Sequence, residues 1–361
     1  MAAVLLTGHG GLDKLEYVED FPTPVADKGE VLIKVGACGL NNTDINTRTA
    51  WYSKKVTEGI TNEGGKDGFS NADDREASWG NASLNFPRIQ GADVAGRIVA
   101  VGSDVADKRI GERVIVDPWL LGFGDWCDPN QSGFFGSECD GGYAQFTKVR
   151  SENALKIQSE LSDAQLATFP CAYITAENLV ARTNLRPGET VVISGASGGV
   201  GSAAIQLCKH RGATIIAIAS SSKAADLIEL GASTVIDRNE QDLEAAIREF
   251  ARGGVEVALD VVGGAMFMPL INVLRQGGRY SSSGAIAGPT VEFDLRQLIY
   301  KDLQMTGATI VPPGTMYRLV KLIESGKLKT MLASSFPLKD LAAAQQAFMA
   351  KKHIGNIVVT L

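Results

Sequence analysis

The sequence has no apolar run that approaches the ~18 residues of a membrane-spanning helix. Its start, Met1 to Leu6, lacks the basic flank of a signal peptide. The 5 cysteines are scattered, without CxxC spacing, which excludes a disulfide framework. A net charge of -6 argues against nucleic acid or an anionic membrane as the main partner. We therefore expect a cytoplasmic protein with neither nucleic acid nor membrane as partner.

The 361 residues, 45% hydrophobic and 21% charged, are enough for two domains with a large core. The first 150 residues contain short strands broken by Gly and Pro, which predicts an all-β module of barrel type. These strands are expected at 30–35, 96–101, 112–116 and 141–149.

Further along, short apolar strands alternate with helices, which is typical of a doubly wound parallel sheet, here of five strands. The strands are expected at 191–193, 214–219, 234–236, 255–262 and 279–281, and the helices at 223–230, 242–250 and 265–274. A final strand at 356–360 cannot extend this sheet without another crossover, so we expect it to return to the β module. The predicted domains are 1–155 with 310–361, and 156–309, with the active site in the cleft between them.

A glycine-rich turn follows the apolar run 191–193. It reads Gly195-Ala196-Ser197-Gly198-Gly199-Val200-Gly201, and the apolar residues behind it recur at helical spacing. The backbone N–H groups of such a turn, with the positive end of the helix, hold a dinucleotide pyrophosphate. Ala196 replaces the first glycine of the strict GxGxxG pattern. The alternative is a turn in an α/β domain that binds no nucleotide.

No acidic residue stands at the end of the second of these strands, where NAD-binding proteins usually place one on the ribose hydroxyls. The chain reads Ser220-Ser221-Ser222-Lys223 there, and Arg238 follows the third strand. Hydroxyls and cations bind a 2′-phosphate, which a carboxylate would repel. The sequence therefore predicts NADPH in preference to NADH. The alternative is a solvated turn that happens to lack an acid.

Several segments, in this order, resemble the medium-chain dehydrogenase/reductase superfamily, specifically its zinc-independent, quinone oxidoreductase-like branch. They are the runs 39–44, 91–96, 101–102, 111–114 and 140–144, the glycine turn, and the closing run 355–358. The resemblance implies an α/β protein with a GroES-like, β-rich catalytic domain and a Rossmann nucleotide-binding domain. It also implies a homodimer or homotetramer.

The resemblance also shows where zinc ligands would stand. Zinc alcohol dehydrogenases of this superfamily carry Cys at the position of Asn41, His at that of Ala92 and Cys at that of Cys171. An amide and a methyl group cannot replace a thiolate and an imidazole, and Asp93 at the family's Glu position still leaves the set one ligand short. The loop of the structural zinc offers only Cys127 and Cys139. We expect no bound metal.

Without a Lewis acid, the expected substrates are small electrophiles that delocalise the incoming negative charge onto an oxygen, which hydrogen bonds then stabilise. Quinones and α,β-unsaturated carbonyls do this. The predicted catalytic residues are Asn41, Arg48 and Tyr52, of which Arg48 and Tyr52 match Arg and Tyr of the quinone reductases. Other interpretations are that Tyr52 packs half-buried on the surface, and that Asn41 and Asp44 hold their turn by bonds to the backbone.

Cofactor contacts are expected at strand ends and at positions that the resemblance carries over. Thr175 matches a family threonine near the nicotinamide, and Asn356 stands where the family often has a Lys that faces the cofactor. The predicted cofactor-binding residues are Thr175, Ala196, Ser197, Gly198, Gly199, Val200, Ser220, Ser221, Lys223, Arg238, Val262, Gly263, Gly284 and Asn356.

The stretch 54–85 is polar, contains glycine and is longer than in the quinone reductases. Two interpretations fit it: a lid over the substrate, anchored by Trp51 and Trp79, or a passive insertion.

Together these features predict an NADPH-dependent oxidoreductase that passes hydride to a quinone or an α,β-unsaturated carbonyl without catalytic zinc. The alternatives are a zinc-type alcohol or aldehyde dehydrogenase and a non-catalytic NADPH-binding sensor. No feature separates quinone, enone and enoyl-thioester substrates.

Overall fold

The computed structural model describes residues 1–60, 63–78, 80, 83–121 and 132–361. The chain divides into two compact units. The first contains Met1–Val56, Asn62–Cys171 and Pro312–Leu361, and the second contains Thr57–Thr61 and Ala172–Val311.

The strands are, in chain order, β1 (Ala3–Leu6), β2 (Leu15–Val18), β3 (Glu30–Gly39), β4 (Asp93–Val101), β5 (Arg113–Val116), β6 (Trp119–Leu121), β7 (Ser132–Phe134), β8 (Phe146–Arg150), β9 (Ala154–Lys156), β10 (Thr190–Ile193), β11 (Thr214–Ile218), β12 (Thr234–Ile236), β13 (Val255–Asp260), β14 (Leu274–Ser282), β15 (Gln304–Gly307), β16 (Leu332–Pro337) and β17 (Asn356–Thr360). The α-helices are α1 (Asn42–Arg48), α2 (Glu63–Asp67), α3 (Asp163–Leu166), α4 (Pro170–Arg182), α5 (Gly199–His210), α6 (Ala224–Leu230), α7 (Leu243–Phe250), α8 (Phe267–Val273), α9 (Leu295–Tyr300), α10 (Thr315–Glu324) and α11 (Leu341–Met349).

The first unit is built on a sheet with the strand order β16-β17-β3-β4-β5-β9, in which β8 also pairs with β3. The closing strand β17 pairs antiparallel with β3, so the prediction that it returns to the β module is confirmed. Two details were wrong. The strand expected at 141–149 begins only at Phe146, and the first 150 residues are not all β, because α1 follows β3.

The second unit contains a parallel sheet with the order β12-β11-β10-β13-β14-β15, which is the doubly wound arrangement predicted from the sequence. The expectation of five strands was wrong, because β15 adds a sixth at the edge. The residues of β15, Gln-Met-Thr-Gly, are largely exposed, so the strand has no apolar run by which the sequence could have indicated it. The core beneath the sheet joins Val192, Ile216 and Ala258 to the buried faces of α7 and α8.

In the described part of the chain, no helix is long and apolar enough to cross a membrane. Among the described residues, Cys38, Cys139, Cys171 and Cys208 form no disulfide bond. Cys127 lies outside the described residues.

Candidate functional site

Two other positions of the first unit contact the fully buried carboxylate of Asp93, the first residue of β4. Its Oδ2 accepts a hydrogen bond from Asn41 Nδ2 at 3.0 Å, and its Oδ1 accepts one from the backbone N–H of Cys171 at 2.7 Å. Burial raises the pKa of Asp93 to about 7, although both hydrogen bonds lower it. The carboxylate is thus held on both oxygens by neutral donors.

This arrangement does not fit a catalytic zinc ion. Asn41 directs its amide N–H groups at Asp93, Ala92 has no donor atom, and only Cys171 remains of the three family positions. Zinc in a catalytic site needs three protein ligands and an open position. Within the described ranges, no group of three or more His, Cys, Asp or Glu side chains is placed to hold a metal ion.

A second buried carboxyl, Asp44 of α1, lies beside the first. Its Oδ2 accepts hydrogen bonds from the Asn41 backbone N–H and from the Tyr143 hydroxyl, both at 2.8 Å. Burial raises the pKa of Asp44 to about 6, and these bonds lower it in part. Asp44 therefore holds the start of α1 through a side-chain to backbone bond, as one reading of the sequence proposed.

Tyr52 lies half-buried just after α1, with its ring edge-on to Trp51 at 5.9 Å. Burial raises its pKa above the ordinary value, and the Asn46 amide opposes this rise only in part. The nearby Cys171 raises it further. The phenol therefore remains protonated near neutral pH and is a hydrogen-bond donor.

Arg48, predicted to be catalytic, has a different environment. Its side chain is fully buried, and it donates to Gln345 Oε1 at 2.9 Å, to the carbonyl oxygen of Gly10 at 2.7 Å and to that of Gly65 at 3.0 Å. Burial lowers its pKa to about 10. Its N–H groups join three separate segments of the first unit, which is the environment of a structural arginine. The predicted contact with substrate stays a prediction.

The glycine turn of the second unit leaves room above the start of α5. Gly195 has φ +56, and a Cβ on Gly201 would lie 2.3 Å from the Gly195 carbonyl oxygen, so both positions require glycine. A Cβ on Gly198, which precedes α5 as its N-cap, would come no nearer than 3.5 Å to any other group. An exposed N-cap followed by a 12-residue helix fits a pyrophosphate.

Asp260, at the end of β13, ties the neighbouring strand ends together, a role that was not predicted from the sequence. Its Oδ1 accepts from Ser194 Oγ at 2.5 Å and from the Val262 backbone N–H at 2.8 Å, and its Oδ2 accepts from the Tyr280 hydroxyl at 2.7 Å. The Gly263 N–H donates to the same carboxylate at 3.1 Å. The signal was present in the sequence, because Asp260 directly follows the apolar run Val257-Ala258-Leu259 at the end of the strand.

The predicted 2′-phosphate site contains two carboxylates that the sequence analysis also missed. Asp237 Oδ2 accepts from the Ser221 backbone N–H at 2.7 Å, and Glu240 Oε1 accepts from Ser221 Oγ at 3.0 Å. The backbone N–H groups of Asn239 and Ser221 lower the pKa of Asp237. Lys223 Nζ donates to Ser197 Oγ at 3.2 Å. The usual pattern looks for an acid at the end of β11, whereas Asp237 follows β12.

The other predicted cofactor residues divide between the units. In the second unit, Ala196 is fully buried, whereas Thr175 on α4 and Gly199 and Val200 in the first turn of α5 are half-buried. Ser220, beside Ser222, and Arg238 are exposed. Val262, Gly263 and Gly284 lie at strand ends. Asn356 belongs to the first unit, where it is 2% exposed and its Oδ1 lacks a hydrogen-bond partner. Their contacts with a cofactor stay predictions.

Two family models match the chain. The alcohol dehydrogenase GroES-like domain matches residues 27–159, and the zinc-binding dehydrogenase model matches residues 199–325. These matches confirm the resemblance to the medium-chain dehydrogenase/reductase superfamily and both halves of the predicted fold.

Known proteins match the chain over nearly its whole length. A solved putative alcohol dehydrogenase from Sinorhizobium meliloti is 43% identical, with a TM-score of 0.90, and the match covers 100% of this chain and 96% of that one. Acryloyl-coenzyme A reductase from Metallosphaera sedula is 26% identical over 100% of both chains. Quinone oxidoreductase from Homo sapiens is 26% identical over 96% of this chain and 93% of its own.

Proposed function

Since the chain belongs to the medium-chain dehydrogenase/reductase superfamily of oxidoreductases, we propose that it transfers hydride from NADPH to a quinone or an α,β-unsaturated carbonyl without a catalytic metal ion. The observation that carries this proposal is the Asn41–Asp93–Cys171 arrangement, in which an amide and a backbone N–H occupy both oxygens of the carboxylate. Such a site lacks the ligand set that zinc requires, which supports a substrate that accepts hydride without a Lewis acid.

Substrates that accept hydride without a Lewis acid place the new negative charge on an oxygen. The reduced nicotinamide supplies the hydride when bound. Tyr52, whose phenol is protonated at neutral pH, donates a hydrogen bond to that oxygen. The acryloyl-coenzyme A reductase and the quinone oxidoreductase among the relatives are named for reactions of this type.

The residues of the glycine turn fit a dinucleotide. Gly198, Gly199 and the N-terminus of α5 would hold the pyrophosphate, and the Asp260 carboxylate would fix the turn at 262–263 beside it. Lys223 and the hydroxyls of Ser220 and Ser221 support NADPH, because they can bind a 2′-phosphate.

NADH is the second candidate, and Asp237 and Glu240 favour it. Their carboxylates occupy the N–H and the hydroxyl of Ser221, so this residue offers fewer donors to a phosphate than its sequence indicates. We expect K223A to weaken NADPH binding more than NADH binding, and D237N to shift the preference further toward NADPH. Equal affinity of the unmodified protein for both cofactors would contradict the preference.

The proposal is tested by following NADPH and NADH oxidation in parallel across quinones, 2-enones, enoyl thioesters and aldehydes. Turnover of any electron-poor acceptor supports it and identifies the substrate class. Turnover of aldehydes alone, with stoichiometric zinc in the protein, would instead support an alcohol dehydrogenase. Saturable NADPH binding without turnover would favour the non-catalytic sensor.

A further inference from the structure

Residues 57–60, which we call the strap, lie within Thr57–Thr61 of the second unit, although the stretches Met1–Val56 and Asn62–Cys171 on either side belong to the first. Gly59 and Ile60 are buried, and the Ile60 backbone N–H donates to the Ile286 carbonyl oxygen at 2.9 Å. A Cβ on Gly59 would lie 2.8 Å from that oxygen and 2.9 Å from the carbonyl carbon of Ala287. The strap backbone therefore lies directly against the loop 284–288.

This loop follows β14 and packs in turn on the residues that follow β13. The Ala287 N–H donates to the Val262 carbonyl oxygen at 2.8 Å, and the Gly264 N–H donates to that of Gly288 at 3.1 Å. Gly263, with φ +64, has the backbone and side chain of Ala285 only 3.0 Å from where a Cβ would stand. Both segments lie at the carboxyl ends of parallel strands, where ligands bind in such sheets.

The start of the strap is held in the first unit by a hydrogen-bonded base. Ser53 Oγ donates to Glu76 Oε1 at 3.2 Å and accepts from the Asp73 backbone N–H at 2.9 Å. The Lys54 N–H donates to the same Glu76 oxygen at 3.0 Å, and Val56 is 2% exposed. The strap is thus held at its start by bonds to residues 73–76 of the same insertion and at its tip by the loop 284–288.

We propose that the strap is a positioning element: Gly59 and Ile60 hold the loop 284–288 in the conformation that receives the cofactor, so the insertion sets cofactor affinity. This inference rests on the proposed function. It differs from both interpretations of the stretch 54–85, because the strap neither opens over the substrate nor is a passive addition. Preorganising the loop avoids the cost of ordering it when the cofactor binds.

The test is Gly59→Ala, with Gly8→Ala as the matched control, because a Cβ on Gly8 meets nothing within 4 Å. Hydrogen exchange of the protein without cofactor should show faster exchange at 284–288 in G59A and no change in G8A. The NADPH dissociation constant should rise about 10-fold in G59A, as expected where a site is no longer preorganised, while kcat at saturating cofactor changes little. Ile60→Ala, which removes packing at the strap tip and adds no atoms, should move both readouts in the same direction.

Unchanged hydrogen exchange at 284–288 in both G59A and I60A would overturn the proposal. Faster exchange in these variants with unchanged cofactor affinity would also overturn it. If the unmodified protein binds neither NADPH nor NADH, the proposed function fails. The exchange experiment then decides alone whether the strap holds the loop.

Discussion

At the scale of single residues, the chemistry follows from which donors surround Asp93. The absence of two zinc ligands was predictable from the sequence, because Asn41 and Ala92 cannot bind zinc. The hydrogen bonds that Asn41 and Cys171 give to Asp93 were not, since they depend on where β4 and α4 place their backbones. The environment of Arg48 was not predictable either, because the sequence does not distinguish an arginine that binds substrate from one that binds three buried carbonyl and amide oxygens.

Tyr52→Phe tests the hydrogen bond to the substrate oxygen. Removing one donor to a developing oxyanion lowers turnover by on the order of 10²-fold, so we expect a loss of that size in kcat with little change in cofactor affinity. Tyr300→Phe, at a tyrosine that is 73% exposed, is the control and should leave kcat unchanged. Equal kcat values for Y52F and the unmodified protein would assign Tyr52 to packing alone.

Asp93→Asn tests the buried carboxyl through the pH dependence of stability. Its folded pKa of about 7 exceeds the ordinary 3.8, so the folded state holds the proton more tightly than the unfolded state. The stabilisation that protonated Asp93 contributes to the folded state is therefore fully present below about pH 4 and is lost as the pH rises through about 7. The free energy of unfolding changes by at most about 1.4 kcal/mol per pH unit for one proton.

Chemical denaturation from pH 4 to pH 8 should accordingly show a flatter dependence in D93N than in the unmodified protein. Asp107→Asn, at an exposed residue of the same unit, should keep the original slope. A D93N protein with that original slope would show that Asp93 does not carry the extra proton.

Arg48→Met separates a structural arginine from a catalytic one. The change leaves the oxygens of Gly10, Gly65 and Gln345 without their donor, so the free energy of unfolding should fall by on the order of 3 kcal/mol. The activity of the protein that remains folded should stay close to that of the unmodified protein. Arg296→Met, at a side chain that is 73% exposed, should change neither quantity. A large loss of kcat without loss of stability would support the predicted catalytic role of Arg48.

At the scale of elements, the strands with apolar runs were predictable and those without them were not. The turn between β10 and α5 was recognisable because strand, glycines and helix follow in the order that a pyrophosphate requires. The edge strand β15 carried no such pattern, since its residues face solvent. The helix α1 was missed because it is short and mostly polar, with a buried acid and a buried arginine in place of an apolar face.

Gly201→Ala tests the packing of the glycine turn. A Cβ there would lie 2.3 Å from the Gly195 carbonyl oxygen and 2.6 Å from Ala196 Cα, so the turn or α5 must shift. We expect NADPH affinity, measured by fluorescence titration, to fall at least about 10-fold, because the N–H groups that face the phosphates move with the turn. Gly307→Ala, where a Cβ meets nothing within 4 Å, should bind NADPH normally. Normal binding by G201A would show that the turn is not the phosphate site.

At the scale of the whole molecule, the two units carry complementary parts of the proposed reaction: neutral hydrogen-bond donors in the first and a dinucleotide turn in the second. The order of motifs along the chain was enough to predict both folds. It did not predict that residues 57–60 join the second unit, because nothing in a polar insertion indicates which surface it packs on. The expected homodimer or homotetramer stays a prediction, testable by sedimentation.

Hydride transfer by this protein is proposed to need no metal ion. The most direct test measures NADPH-dependent reduction of an electron-poor acceptor before and after exhaustive chelation, with the metal content of the same samples determined by mass spectrometry. We predict the same kcat in metal-free and untreated protein, with no gain on adding zinc. Loss of turnover on chelation, restored by stoichiometric zinc, would contradict the account.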